Sequence, residues 1–161
     1  MTPSIFISYS HQEAPFVESL RRELEDRKMN VWLDYASLVP GKPWHEDIVA
    51  GIENAEVILV VVSKAAMASE NVDEEWTLAR RLNKRIVLAV FERVHVPEEA
   101  GLCEWVDFRG SFKRGIASLL KQFDSPITRR PPRGFKAPFI VWASVTVSVV
   151  PAVLGTSRNS T

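Results

Sequence analysis

Val57-Ile58-Leu59-Val60-Val61-Val62 runs without a polar residue, and Ile86-Val87-Leu88-Ala89-Val90-Phe91 repeats the pattern. A strand with one wet face alternates apolar and polar residues, so an unbroken apolar run has to be covered on both faces. That requirement points to central strands of a sheet with helices above and below. Ile5-Phe6-Ile7-Ser8-Tyr9 reads as a first strand, Asn30-Val31-Trp32-Leu33-Asp34 as a second, and Trp105-Val106-Asp107-Phe108 as a weaker fifth. Helical spacing joins Phe16, Val17, Leu20 and Leu24, then Trp44, Ile48 and Ile52, then Phe112, Ile116, Leu119, Leu120 and Phe123, the last group capped by Ser111. Ser10-His11-Gln12-Glu13 has capping-box spacing, and Leu38 to Pro43 is a loop by its Pro and Gly content. Strands alternating with helices predict an α/β fold with a doubly wound, five-stranded parallel sheet.

The charge balance divides the chain. Net charge is zero, yet every acidic residue lies at or before Asp124, while Arg129, Arg130, Arg133, Lys136 and Arg158 follow it. The body is therefore mildly acidic, which excludes a duplex nucleic acid partner, because neutralising phosphates needs clustered Lys and Arg. Cys103 is the only cysteine, so no internal disulfide forms, and the body suits a reducing cytosol. These features give a domain over residues 1–124, a Pro- and Arg-rich linker over 125–136, and a short tail over 156–161. Residues 137–155 are uncharged and mostly apolar, long enough for a single transmembrane helix, with Pro138 and Pro151 near its ends. Basic residues crowd its amino-terminal flank, so the positive-inside rule puts the body in the cytoplasm. The competing reading is a hydrophobic element of a second domain.

Asn71 to Leu82 reads as a helix whose apolar side carries Val72, Glu75, Trp76, Leu78, Ala79 and Leu82. Glu74 faces outward and completes a capping box with Asn71. Glu75 sits within the apolar stripe, where a carboxylate is expensive unless partnered or used, and in a first turn whose dipole favours its ionised form. Ligands of an open parallel sheet bind beyond the carboxyl ends of its strands, near the reversal of strand order. Tyr9, Ser10 and His11, then Asp34, then Ser63 and Lys64, follow those ends. Neither GxGxxG nor a Walker loop is present, no Gly-x-Ser-x-Gly elbow exists, and His11, His45 and His95 are too scattered for a metal site. A phospho-acceptor receiver domain needs an Asp after the third strand, and this chain has Ser63 there.

Together these segments resemble the Toll/interleukin-1 receptor (TIR) domain, particularly its bacterial branch. The first box is Phe6-Ile7-Ser8-Tyr9-Ser10, and Trp32-Leu33-Asp34 leads into a BB loop, Leu38-Val39-Pro40-Gly41-Lys42-Pro43-Trp44. Ser63, Ser69, Val72 and Glu75 fit the family's Ser…Ser-x-x-(Cys/Val/Trp)-x-x-Glu pattern, and Trp105 to Gly110 matches its fifth-strand segment. The resemblance spans about residues 3 to 123. It departs at Ser10 to Glu13, where an Arg or Asp is frequent, and at Asn71, where some hydrolytic members have Trp.

The resemblance implies a flavodoxin-like fold and one of two functions. Many members hydrolyse NAD+ at the nicotinamide–ribose bond with a Glu at the position of Glu75; others are non-catalytic modules that bind other TIR domains through the BB loop, here Pro40 and Gly41. NAD+ would be substrate, no cofactor or metal is implied, and homo-oligomers form on activation. Departure of nicotinamide leaves an oxocarbenium-like ribosyl cation and needs no general acid, so one ionised carboxylate can suffice. Tyr9 and Trp44 are candidate stacking surfaces, with Ser10, His11, Asp34 and Ser63 as polar contacts. Core packing with Ile48 and Ile52 is the rival role for Trp44. A nucleoside deoxyribosyltransferase shares the three-layer plan and is a third possibility.

Overall fold

The computed structural model describes residues 3–33, 45–96, 100–101 and 103–124. Strands β1 (Ser4–Ser8), β2 (Asn30–Leu33), β3 (Val57–Val62), β4 (Arg85–Val90) and β5 (Glu104–Asp107) form one sheet in the order β2-β1-β3-β4-β5, every pairing parallel. The helices are α1 (Ala14–Glu25), α2 (His45–Asn54), α3 (Lys64–Met67), α4 (Glu70–Arg81) and α5 (Phe112–Phe123), with a short 3-10 turn, His11–Glu13, before α1. The five expected strands and their parallel arrangement are present; the four-residue α3 was not anticipated.

Every residue of β3 is at most 2% exposed, because both faces are roofed. On one face Ile5, Ile7, Leu59 and Val87 meet Val17 and Leu20 of α1 and Ile116 and Leu119 of α5. On the other, Phe6, Ile58, Val60 and Leu88 meet Ile52 of α2 and Val72, Trp76 and Ala79 of α4. The second strand lies at the sheet edge, which leaves Trp32 52% exposed.

Helices α1 and α4 stop in the same way. Lys28 (φ 64°) and Asn83 (φ 52°) take the left-handed conformation, Met29 N–H donates to Leu24 O and Lys84 N–H to Ala79 O, and the chain enters the next strand. Helix α5 lies so close to the sheet that a Cβ on Gly115 would fall inside the Phe108 ring envelope, 2.2 Å from Cδ1. Residues 125–161, including the expected linker and membrane stretch 137–155, lie outside the described residues. Among the described residues, no helix is long and apolar enough to cross a membrane.

At the amino edge of the sheet, Glu104 is 2% exposed and accepts two hydrogen bonds from Arg85, Nε at 2.9 Å and Nη2 at 2.8 Å. Arg85 also donates to Gln122 O, and Gln122 Nε2 to Trp105 O, so the group ties β4, β5 and α5 together. Breaking such a pair strands the surviving charge, which is worse than replacing both partners. Glu104→Ala should therefore lose about 3 kcal/mol of stability, and Arg85→Met/Glu104→Leu should recover most of it. Urea unfolding midpoints of the three proteins check this; equal midpoints for the single and double variants would contradict it.

Candidate active site

Strand order reverses its winding between β1 and β3, which are hydrogen-bonded neighbours with Ser8 opposite Val60. That junction is where an open α/β sheet leaves a crevice at its carboxyl ends. Among the described residues, five polar or charged side chains are buried: Ser8, Glu13, Ser63, Glu75 and Glu104. Only Glu104 belongs to the amino edge; the other four lie on the last residue of β1, the turn after it, the first residue past β3, and α4.

Helix α4 starts at Glu70, capped by Ser69, whose hydroxyl accepts from Val72 N–H. It thus begins earlier than the Asn71 capping box predicted, because Ser69 competes successfully for the cap. Glu75 becomes its sixth residue, in the second turn and about 7.5 Å from the helix start at 1.5 Å per residue. The expected dipole support is corrected accordingly, since that field fades beyond the first turn. The expected burial holds: Glu75 is 3% exposed, alongside buried Val72, Trp76 and Ala79, while Asp73 and Glu74 are exposed. Leu82 falls past the helix end and is exposed.

Period-two alternation assigns β1 residues to layers. Phe6 packs in the α2/α4 layer, and Ser8, two residues on, faces the same side, where α4 packs against β1. Its Oγ is fully buried and has no hydrogen-bond partner among the described residues. Ser8 was not among the candidate residues, although a lone polar residue on a buried strand face is legible as a clue. Tyr9, by the same alternation, packs in the opposite layer with Val17 and Phe108, so the structure separates its side chain from the face of α4.

Ser10 is partly exposed and caps the 3-10 turn, accepting from Gln12 N–H, and His11 beside it is exposed. Ser63 is fully buried, and its hydroxyl accepts from Ala66 N–H at 2.9 Å as the cap of α3. The rim around it is knitted further: Phe91 and Glu92 N–H donate to Val62 O, and Lys64 N–H donates to the Glu92 carboxylate. At the carboxyl end of β5 the Arg109 guanidinium hydrogen-bonds Asp107 and holds its carboxyl below the ordinary value. Asp34, Pro40, Gly41 and Trp44 lie outside the described residues. Among the described residues no group of three His, Cys, Asp or Glu gathers to hold a metal ion.

The TIR domain profile matches residues 5–120. The chain belongs to the TIR domain family. Its fold is similar to that of the TIR domain of the Toll-related receptor TRR-2 from Hydra magnipapillata, with 19% identity, a TM-score of 0.64, and coverage of 77% of this chain and 100% of that one. It is also similar to the Clostridium botulinum CMP N-glycosidase, with 15% identity, a TM-score of 0.55, and coverage of 73% of this chain and 98% of that one. The 2-deoxyribosyltransferase of Bacillus psychrosaccharolyticus follows, with 12% identity, a TM-score of 0.54, and coverage of 66% and 85%. At these identities the likeness is one of fold. No curated protein matches the sequence.

The cap bond of Ser63 in this TIR domain has a direct consequence. Ser63→Ala should destabilise the protein by about 1 kcal/mol, and Ser63→Thr should retain most of the stability, since either hydroxyl can cap. Thermal and urea unfolding measure both, and an unchanged Ser63→Ala midpoint would remove the structural role.

Proposed function

We propose that this TIR domain hydrolyses NAD+ at the nicotinamide–ribose bond, with Glu75 as its catalytic carboxylate. The observation that carries the reading is the contrast within α4: Glu75 is buried on the face against the sheet and Glu74, its neighbour, is exposed. Two other acids are buried among the described residues: Glu104, held by Arg85, and Glu13, in the turn after β1. The named activities of two fold neighbours, a CMP N-glycosidase and a 2-deoxyribosyltransferase, lend support, since both act on base–sugar bonds.

In the reaction, the oxygen of a water molecule bonds to the anomeric carbon of the nicotinamide ribose. The carbon–nitrogen bond breaks, and its electron pair neutralises the pyridinium nitrogen. Nicotinamide, ADP-ribose and the proton released by water are the products; an adenine nitrogen attacking in place of water would give a cyclised product instead. Because the leaving group departs neutral from a cation, no acid has to protonate it. The task left to the protein is to stabilise positive charge growing on the ribose, which one fixed carboxylate in a water-poor layer performs. Ser8 offers a hydroxyl in the same layer, Ser10 and His11 offer rim contacts, and Asp34 and Trp44 retain their proposed roles. Tyr9 is not assigned a stacking role, because it packs on the other side of the sheet.

A second reading, a module that binds another TIR domain without catalysis, draws on Trp32. This indole is exposed on the edge strand that leads into the segment holding Pro40 and Gly41. Nicotinamide release from NAD+ by the full chain in detergent separates the readings. Glu75→Gln should lower turnover by at least about 100-fold, the usual loss of a transition-state charge contact, and Glu74→Gln should leave it unchanged. Equal turnover in wild type and Glu75→Gln would sink the catalytic assignment; no turnover by concentrated wild type would favour the binding module.

We also propose that residues 137–155 anchor the domain on the cytoplasmic side of a membrane. The full chain should then stay with membranes through alkaline carbonate washing, and its release into the supernatant would end that proposal.

A further inference from the structure

Helix α4 has a second working flank. At 100° per residue, Val72, Trp76 and Asp73 lie roughly 60°, 100° and 160° around the helix from Glu75. With Val60 and Val62 of β3, Leu88 of β4, and Val96 and Ala100 beyond it, that flank lines a cavity of about 230 Å³. Glu75 does not line it. Its floor is Val60, Val62, Leu88 and Val96, each at most 3% exposed, and Trp76 supplies an aromatic wall. Met67, Asp73 and His95, all exposed, stand on its lining toward solvent.

The size and lining select a ligand class. Aliphatic cavities of about 150 Å³ stay dry and admit benzene, so this one accommodates one substituted aromatic ring. The Trp76 ring and the Met67 thioether are favourable neighbours for such a ring. The mouth selects charge: Asp73 forms no ion pair among the described residues, and exposed Glu70 and Glu74 share its end of α4. Those acids repel anions and attract an N–H-bearing cation.

We propose that this cavity binds a small aromatic cation, its ring against Trp76 and its amidinium or ammonium group on Asp73. A ring seated there touches Val72 and Trp76, the residues that bracket Glu75, and so braces the turn that carries it from the opposite flank. The site does not depend on NAD+ hydrolysis and stands or falls separately from it.

The test is calorimetric titration of the full chain with benzamidine and with benzamide, its neutral near-isostere. Benzamidine should bind saturably at one site and about fivefold more tightly than benzamide, the upper range for an exposed ion pair. Asp73→Asn should erase that preference, and Ala100→Leu, which fills the cavity, should abolish binding of both. Absence of saturable benzamidine binding, equal affinities in wild type, or undiminished binding by folded Ala100→Leu would each overturn the proposal. If Ala100→Leu does not fold, Asp73→Asn, at an exposed position, decides alone: a benzamidine preference that survives it overturns the assignment.

Discussion

The architecture depends on one constraint, that β3 cannot show either face to water. Six consecutive apolar residues force a roof on both sides, and short parallel connections can supply it only if the chain winds outward from the middle in both directions. Strands β1 and β2 therefore lie to one side of β3, and β4 and β5 to the other. The reversal between β1 and β3 marks where a sheet of this kind leaves a crevice at its carboxyl rim. Burial that looks purely structural thus decides where a polar site can exist.

Within that frame α4 carries a disproportionate share of the polar chemistry. It roofs the face containing Phe6, Ile58 and Val60, and its buried stripe includes a carboxylate. Comparison with Glu104 makes the difference plain. Glu104 is clamped by a bidentate guanidinium whose Nη2 also donates to a carbonyl of α5, a geometry that compensates desolvation. Glu75 is buried on α4, which packs against β1, the strand that carries the buried Ser8 hydroxyl. The same helix bears the cavity on its other flank, so binding there and chemistry at Glu75 would share a mechanical element.

The strands were legible because apolar runs and their spacing are local properties. The helix containing Glu75 was legible in its face but not in its start. Ser69 and Asn71 both make acceptable caps, and the choice was made by tertiary context, in which Ser63, α3 and Ser69 turn the chain in two steps. That shift of position moved Glu75 out of the first turn. Tyr9 could be placed along the chain but not across it; the alternation that continues from β1, with Ile5, Ile7 and Tyr9 on one face and Phe6 on the other, tells the layers apart. The cavity left no sequence signal, since it needs Val96 and Ala100, past β4, to fold back against Val72 and Trp76.

Placing Glu75 in the second turn changes what the catalytic proposal asks of its surroundings. Helix-dipole support for an anion is concentrated at the first turn, so under the catalytic proposal the cationic substrate would add what the dipole does not. The nicotinamide ring arrives positively charged, and the charge passes to the ribose as the bond breaks. A carboxylate facing that path would therefore meet a cation both before and during cleavage, until water has added to the anomeric carbon and its proton has been released. In that proposal the gain in the transition state would come from the charge moving onto the sugar, not from the mere presence of a cation. Under that proposal burial would serve the reaction by excluding water that screens the carboxylate from the developing ribosyl cation.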